Sequence, residues 1–126
     1  MRKTIIFISI ILLTPIAFAG VTEKVRFAPG TSGTVIDGTV LRGDQDIYTL
    51  KAKSGQRMDV EISSEENNAV FQIYSKNDGD WENLPGASED DDATVWSDEL
   101  SSSGSYKIVV GATRGNASYS LTIHIK

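Results

Sequence analysis

The 126-residue chain has no cysteine, one histidine, three prolines and no surplus of basic residues. Without cysteine there can be no disulfide staple, no thiolate nucleophile and no thiolate metal centre. A single histidine, His124, cannot assemble a zinc site, and no Gly-x-Ser-x-Gly elbow marks a serine nucleophile. Twelve Lys and Arg face seventeen Asp and Glu. That balance argues against nucleic acid and against anionic membrane as partners. No segment shows sustained helical periodicity, which excludes bundles and amphipathic helices. The one long apolar run, Ile5 to Ile16, is shorter than the ~20 residues a membrane span needs.

What is present begins with that run. Arg2 and Lys3 precede it, and Ala17-Phe18-Ala19 follows with small residues at the positions a signal peptidase reads. Residues 1–19 are therefore expected to be a cleavable secretory signal, and residues 20–126 one exported domain. Removing Arg2 and Lys3 leaves ten bases against seventeen acids, a net charge of −7 for that domain. With no disulfide, its stability must come from a packed core, which ~100 residues can supply.

Beyond residue 20 the chain reads as short strands separated by turn signals. Val25 and Phe27 alternate with charged neighbours, and Thr34 to Leu41 is β-branched with Gly38 as an expected bulge. Tyr48, Leu50 and Ala52 share one face, and after Ser54-Gly55-Gln56 the face resumes with Met58, Val60 and Ile62. This pattern reads as a hairpin with one face buried. Ala69, Phe71 and Ile73 follow, and Thr94 to Trp96 is a short strand. Tyr106, Ile108 and Val110, then Tyr119, Leu121, Ile123 and Ile125, read as a second hairpin closed by Gly111 to Asn116. The pattern predicts an all-β fold, an antiparallel β-sandwich (jelly-roll-like) of about eight strands. Between the hairpins Asn77 to Asp92 reads as an irregular acidic segment, with Trp81 and Leu84 its only large apolar residues.

No catalytic set emerges from this inventory. His124 sits among outward positions of the last strand. The crowded carboxylates between Asp78 and Glu99 suit a solvated loop better than the shaped cleft a glycosidase needs. Asn77-Asp78-Gly79-Asp80-Trp81-Glu82 lacks the spacing of an EF-hand, so no metal or other cofactor is expected, although abundant oxygen ligands leave calcium as an alternative. Asn116-Ala117-Ser118 matches a glycosylation sequon, a pattern too short to weigh much. Trp81 and Trp96 suit either loop anchoring or stacking on sugar rings.

Asp46-x-Tyr48, Ala52, Gly55-Gln56, Val60 and Ile62 resemble the signature of the bacterial pre-peptidase C-terminal domain, a β-sandwich; Gly104-x-Tyr106-x-Ile108-x-Val110 extends the likeness. A narrower resemblance is to the periplasmic inhibitors of goose-type (g-type) lysozyme. It rests on Val25-Arg26-Phe27, Gly43-Asp44-x-Asp46-x-Tyr48-Thr49, Ala52-Lys53-x-Gly55-Gln56, Ser103-Gly104-x-Tyr106 and Thr113-Arg114. This resemblance implies no enzyme but an inhibitor whose end loops occlude a lysozyme cleft. The binding residues it implies are Arg114, Asn116, Thr113, Arg42, Asp44, Gln45 and Ser103, with lysozyme as partner and a homodimer left open. A non-inhibitory module of the same fold, binding carbohydrate or protein, is the alternative.

Overall fold

The computed structural model describes residues 20–126; the expected signal lies outside the described residues. Among the described residues nine strands form two sheets and there is no helix. They are β1 (Thr22–Lys24), β2 (Gly33–Val40), β3 (Asp46–Ala52), β4 (Arg57–Ser64), β5 (Ala69–Asn77), β6 (Asp80–Asn83), β7 (Val95–Glu99), β8 (Gly104–Ala112) and β9 (Ala117–Ile125). One sheet has the order β1-β3-β8-β5-β6 and the other β2-β9-β4-β7. All pairings are antiparallel except β1 with β3, so the expected all-β sandwich is what forms.

The alternating residues meet between the sheets. Tyr48, Leu50, Phe71, Ile73, Tyr106, Ile108 and Val110 face Met58, Val60, Ile62, Leu121 and Ile123 across the core. Each large side chain removed from water there contributes roughly 1.5–3 kcal/mol. Outside this layer the strands alternate to polar residues, as a half-buried sheet requires.

The expected hairpins do not form. β3 and β4 lie in opposite sheets, and so do β8 and β9. Ser54-Gly55-Gln56 does turn the chain, with Gly55 at φ 92° and the Gln56 amide donating to the Lys53 carbonyl at 3.1 Å. That turn carries the chain across the ~10 Å between layers instead of back along one sheet. Alternation requires only that both apolar faces reach the core, and facing strands satisfy this as well as neighbouring ones.

The true tight hairpin lies in the acidic segment. Asp78 and Gly79 both have positive φ (51° and 87°), the conformation a two-residue type I′ turn demands, and they join β5 to β6. Residues 84–93 then run along the remaining free edge of β5. Leu84 donates to Ile73 at 2.9 Å, Ile73 to Ala87 at 3.0 Å and Phe71 to Ala93 at 2.9 Å. Asp91 accepts the Ser88 backbone N–H and hydroxyl, bonds that hold its carboxyl below the usual range. The segment is an edge cover, not a free loop.

Gly38 is not a bulge either. Its register with Tyr119 continues that of Asp37 with Ser120 and Thr39 with Ser118. A Cβ at Gly38 would stand 2.7 Å from the Tyr119 hydroxyl, so the glycine leaves room for that ring. Below it lies a buried polar chain. Tyr119 donates to Asp46 Oδ2 at 2.5 Å, and the Tyr48 and Tyr119 hydroxyls are 2.6 Å apart. Asp46 Oδ1 accepts the Val21 N–H at 2.9 Å. Asp46 thus pins the backbone at Val21 to the core and links the two sheets.

A loop cluster as the candidate functional site

Three connections converge at one end of the sandwich: residues 41–45 before β3, residues 64–68 from the last residue of β4 onward, and residues 113–116 between β8 and β9. Each has a local reason for its shape. Asp44 donates to Leu41 at 2.9 Å across a turn whose third residue, Gly43, has φ 83°, as a type II turn requires of that position. In the second loop Ser64 Oγ accepts from Asn68 at 3.0 Å and Ala69 at 3.2 Å. Asn67 there adopts φ 53°, which Asn tolerates better than most residues.

Asn68 ties the loops together and is only 2% exposed. Its Nδ2 donates to the Arg114 and Asn116 carbonyls, both at 3.0 Å, and its own carbonyl accepts the Thr113 N–H at 2.9 Å. Asn116 Oδ1 in turn accepts the Arg42 N–H at 2.8 Å. The Arg114 guanidinium donates through Nη2 to the Glu66 carbonyl at 2.6 Å. The ion pairs among the described residues are Arg57 with Asp59 and, when protonated, His124 with Asp59. Arg114 is exposed and has no carboxylate partner among them.

Of the residues expected from sequence, Arg42, Asp44, Gln45, Thr113, Arg114 and Asn116 are brought to this end. Asp44, Gln45 and Thr113 also line a shallow groove of about 290 Å3 with Gln72 and Val109. Ser103 is not among them. It precedes β8 while Arg114 follows it, so the nine-residue strand separates them by about 30 Å. There its Oγ accepts the Ser54 N–H at 2.8 Å. Asn68 and Glu66 were invisible in the sequence, since one polar residue in a polar loop looks like another. A hint lay in Asn68 standing directly before the apolar alternation of Ala69, Phe71 and Ile73.

Asn68→Ala is expected to lower stability by about 2 kcal/mol, since two net hydrogen bonds are lost at about 1 kcal/mol each. Urea unfolding checks this; an unchanged midpoint would show that solvent replaces both bonds. Nothing at the cluster resembles a reaction centre. Among the described residues no three His, Asp or Glu side chains converge as metal ligands. What the arrangement offers is a braced rim with an exposed guanidinium, suited to contact with another surface.

The chain is 31% identical over 107 residues to the inhibitor of g-type lysozyme of Escherichia coli K12, covering 85% of this chain and 71% of that protein. Its backbone matches PliG of Aeromonas hydrophila, a periplasmic lysozyme inhibitor of g-type lysozyme, with a TM-score of 0.69 and 30% identity. That match covers 87% of this chain and 100% of the other. The pre-peptidase C-terminal domain of Bacillus anthracis collagenase matches with a TM-score of 0.50 and 16% identity, over 86% and 97% of the two chains; this likeness concerns the fold alone. No family model matches the chain. With that identity and coverage, the chain belongs to the family of periplasmic inhibitors of g-type lysozyme.

Proposed function

We propose that this protein inhibits a g-type lysozyme in the periplasm by placing the Arg42–Gln45 and Thr113–Asn116 loops against the enzyme's substrate cleft. The observation that carries the mechanism is Arg114, an exposed guanidinium without a carboxylate partner among the described residues, on a loop fixed by buried Asn68. A glycoside hydrolase cleft holds catalytic carboxylates. A guanidinium entering it can pair with one bidentately, and the planar fork suits that geometry better than an ammonium does. Bracing by Asn68 and Glu66 lowers the ordering cost of binding. Asp44, Gln45, Thr113 and Asn116 supply the polar rim. The excess of acidic residues favours encounter with a cationic enzyme. Ser103 contributes in this reading only through the far end of the sandwich.

The leader over residues 1–19 accounts for delivery to the periplasm, the location named for the Aeromonas relative. The test is lysis of cell walls by g-type, hen-type and invertebrate-type lysozymes with the purified domain in excess. Slowed lysis by the g-type enzyme is expected, and unaltered lysis by all three would sink the proposal. Mass spectrometry of the exported protein is expected to find its N-terminus at or near Gly20.

A further inference from the structure

Trp81 and Trp96 part company in the structure. Trp96 is 8% exposed, with its indole N–H donated to the Pro85 carbonyl at 2.9 Å, and it anchors the segment after β6. Trp81 instead lies on the outward face of the five-stranded sheet, paired with Lys76 across the β5–β6 hairpin. Lys107 Nζ sits between two rings, 4.7 Å from the Trp81 centroid and 4.9 Å from that of Tyr74. Lys76 Nζ lies 5.5 Å from the same indole.

The charge on this face opposes that of the protein. Register places Lys24, Thr49, Lys107, Tyr74 and Asn83 in one row across all five strands, a span of about 19 Å. Lys51 and Lys76 lie in the adjoining row. The outward strand positions of this sheet therefore carry four lysines and no carboxylate. The outward positions of the other sheet carry Asp37, Asp59, Glu61 and Glu99. Carboxylates border this face on the side toward Thr113: Asp44 and Asp92 line the groove that holds Gln72 and Val109, the outward pair next to Tyr74 and Lys107.

Two ammonium groups gathered on one indole repel each other. Each cation–π contact returns only about 0.5–1 kcal/mol at an exposed site. Among the described residues neither lysine has a carboxylate within ion-pair distance. An anion would relieve this repulsion. The half-buried rings of Trp81 and Tyr74 and the polar groups of Asn83 and Thr49 favour an anion attached to a flat, hydroxyl-rich body. We propose that this face binds an acidic glycan, with Lys76 and Lys107 meeting its acidic groups and Trp81 and Tyr74 its sugar rings. Lys107 lies in β8 and Arg114 in the loop beyond its end, seven residues on and about 20 Å away along the chain, so both sites can be occupied together.

The probes are polygalacturonate, neutral dextran, polyglutamate and phosphatidylglycerol vesicles, added to the domain while tryptophan fluorescence is followed. Polygalacturonate is expected to change the fluorescence, to lose its effect in about 0.5 M salt, and to bind at least tenfold more weakly to Lys76→Glu/Lys107→Glu. Trp81→Phe is expected to abolish the signal, because Trp96 is buried. Unaltered melting and unaltered lysozyme inhibition in these variants would separate this face from the loop cluster. Three results would overturn the proposal: no response to polygalacturonate, an equal response to dextran, or tighter binding to polyglutamate or the vesicles.

Discussion

Arg114→Ala is expected to weaken inhibition of a g-type lysozyme at least tenfold while leaving the melting temperature almost unchanged. Truncating one partner of a desolvated, hydrogen-bonded charge pair costs about 2–5 kcal/mol, part of it the penalty for the charge left behind. In the free protein the Arg114 side chain makes one exposed bond, to the Glu66 carbonyl, so little stability depends on it. Arg114→Lys keeps the charge and loses the fork, and is expected to fall between wild type and alanine. Inhibition curves for the three proteins, each checked for native melting, provide the measurement. An alanine variant as potent as wild type would place the contact elsewhere on the rim, with Arg42 the next candidate.

The largest effect on stability is expected at Asp46. Its carboxylate is 2% exposed and accepts from the Val21 N–H and the Tyr119 hydroxyl. Hydrogen bonds to a charged group are worth about 1.5–3 kcal/mol each. Removing the carboxylate also relieves a desolvation cost, which offsets part of the loss. Asp46→Ala is therefore expected to cost about 3 kcal/mol, a fall of roughly 10–20 °C in a domain of this size. Asp46→Asn keeps the shape and one acceptor, and is expected to cost about 1 kcal/mol. Equal melting of the aspartate and alanine proteins would mean that the polar chain stabilises nothing.

The same chain predicts an alkaline limit. Burial raises the pKa of Tyr48 and Tyr119 above the ordinary phenol value, because the core disfavours the phenolate; the bond to Asp46 adds to this at Tyr119. Raised folded pKa values mean that their contribution is complete below about pH 10 and is lost as pH climbs toward those values. Spectroscopic titration should find Tyr48 and Tyr119 un-ionised beyond pH 10 until the protein unfolds. Ionisation of these two in the native protein at the ordinary phenol pH would contradict the buried chain.

Much of the core was legible from period two alone. Tyr48, Leu50, Ala52, Met58, Val60, Ile62, Phe71, Ile73, Ile108, Val110, Leu121 and Ile123 are buried as their alternation predicts. The acidic segment misled because its many carboxylates masked an Asp-Gly turn, a strong hairpin signal by itself. At the loop cluster, Arg114 stood out as the only charge between the last two strands. Asn68 did not, because its importance rests on two carbonyls 46 and 48 residues away.

By itself the sequence determined which residues face the core and where several of the turns lie. These follow from steric rules of the strand and from short-range turn chemistry, both written in neighbouring residues. Only the tertiary structure decided that β3 and β4 face each other across the core, that Gly38 makes room for Tyr119, and that Ser103 and Arg114 stand at opposite ends. Such choices depend on how two twisted sheets share one buried layer. A period of two defines the side a residue faces and leaves its partner strand to be chosen by the packing of the whole domain.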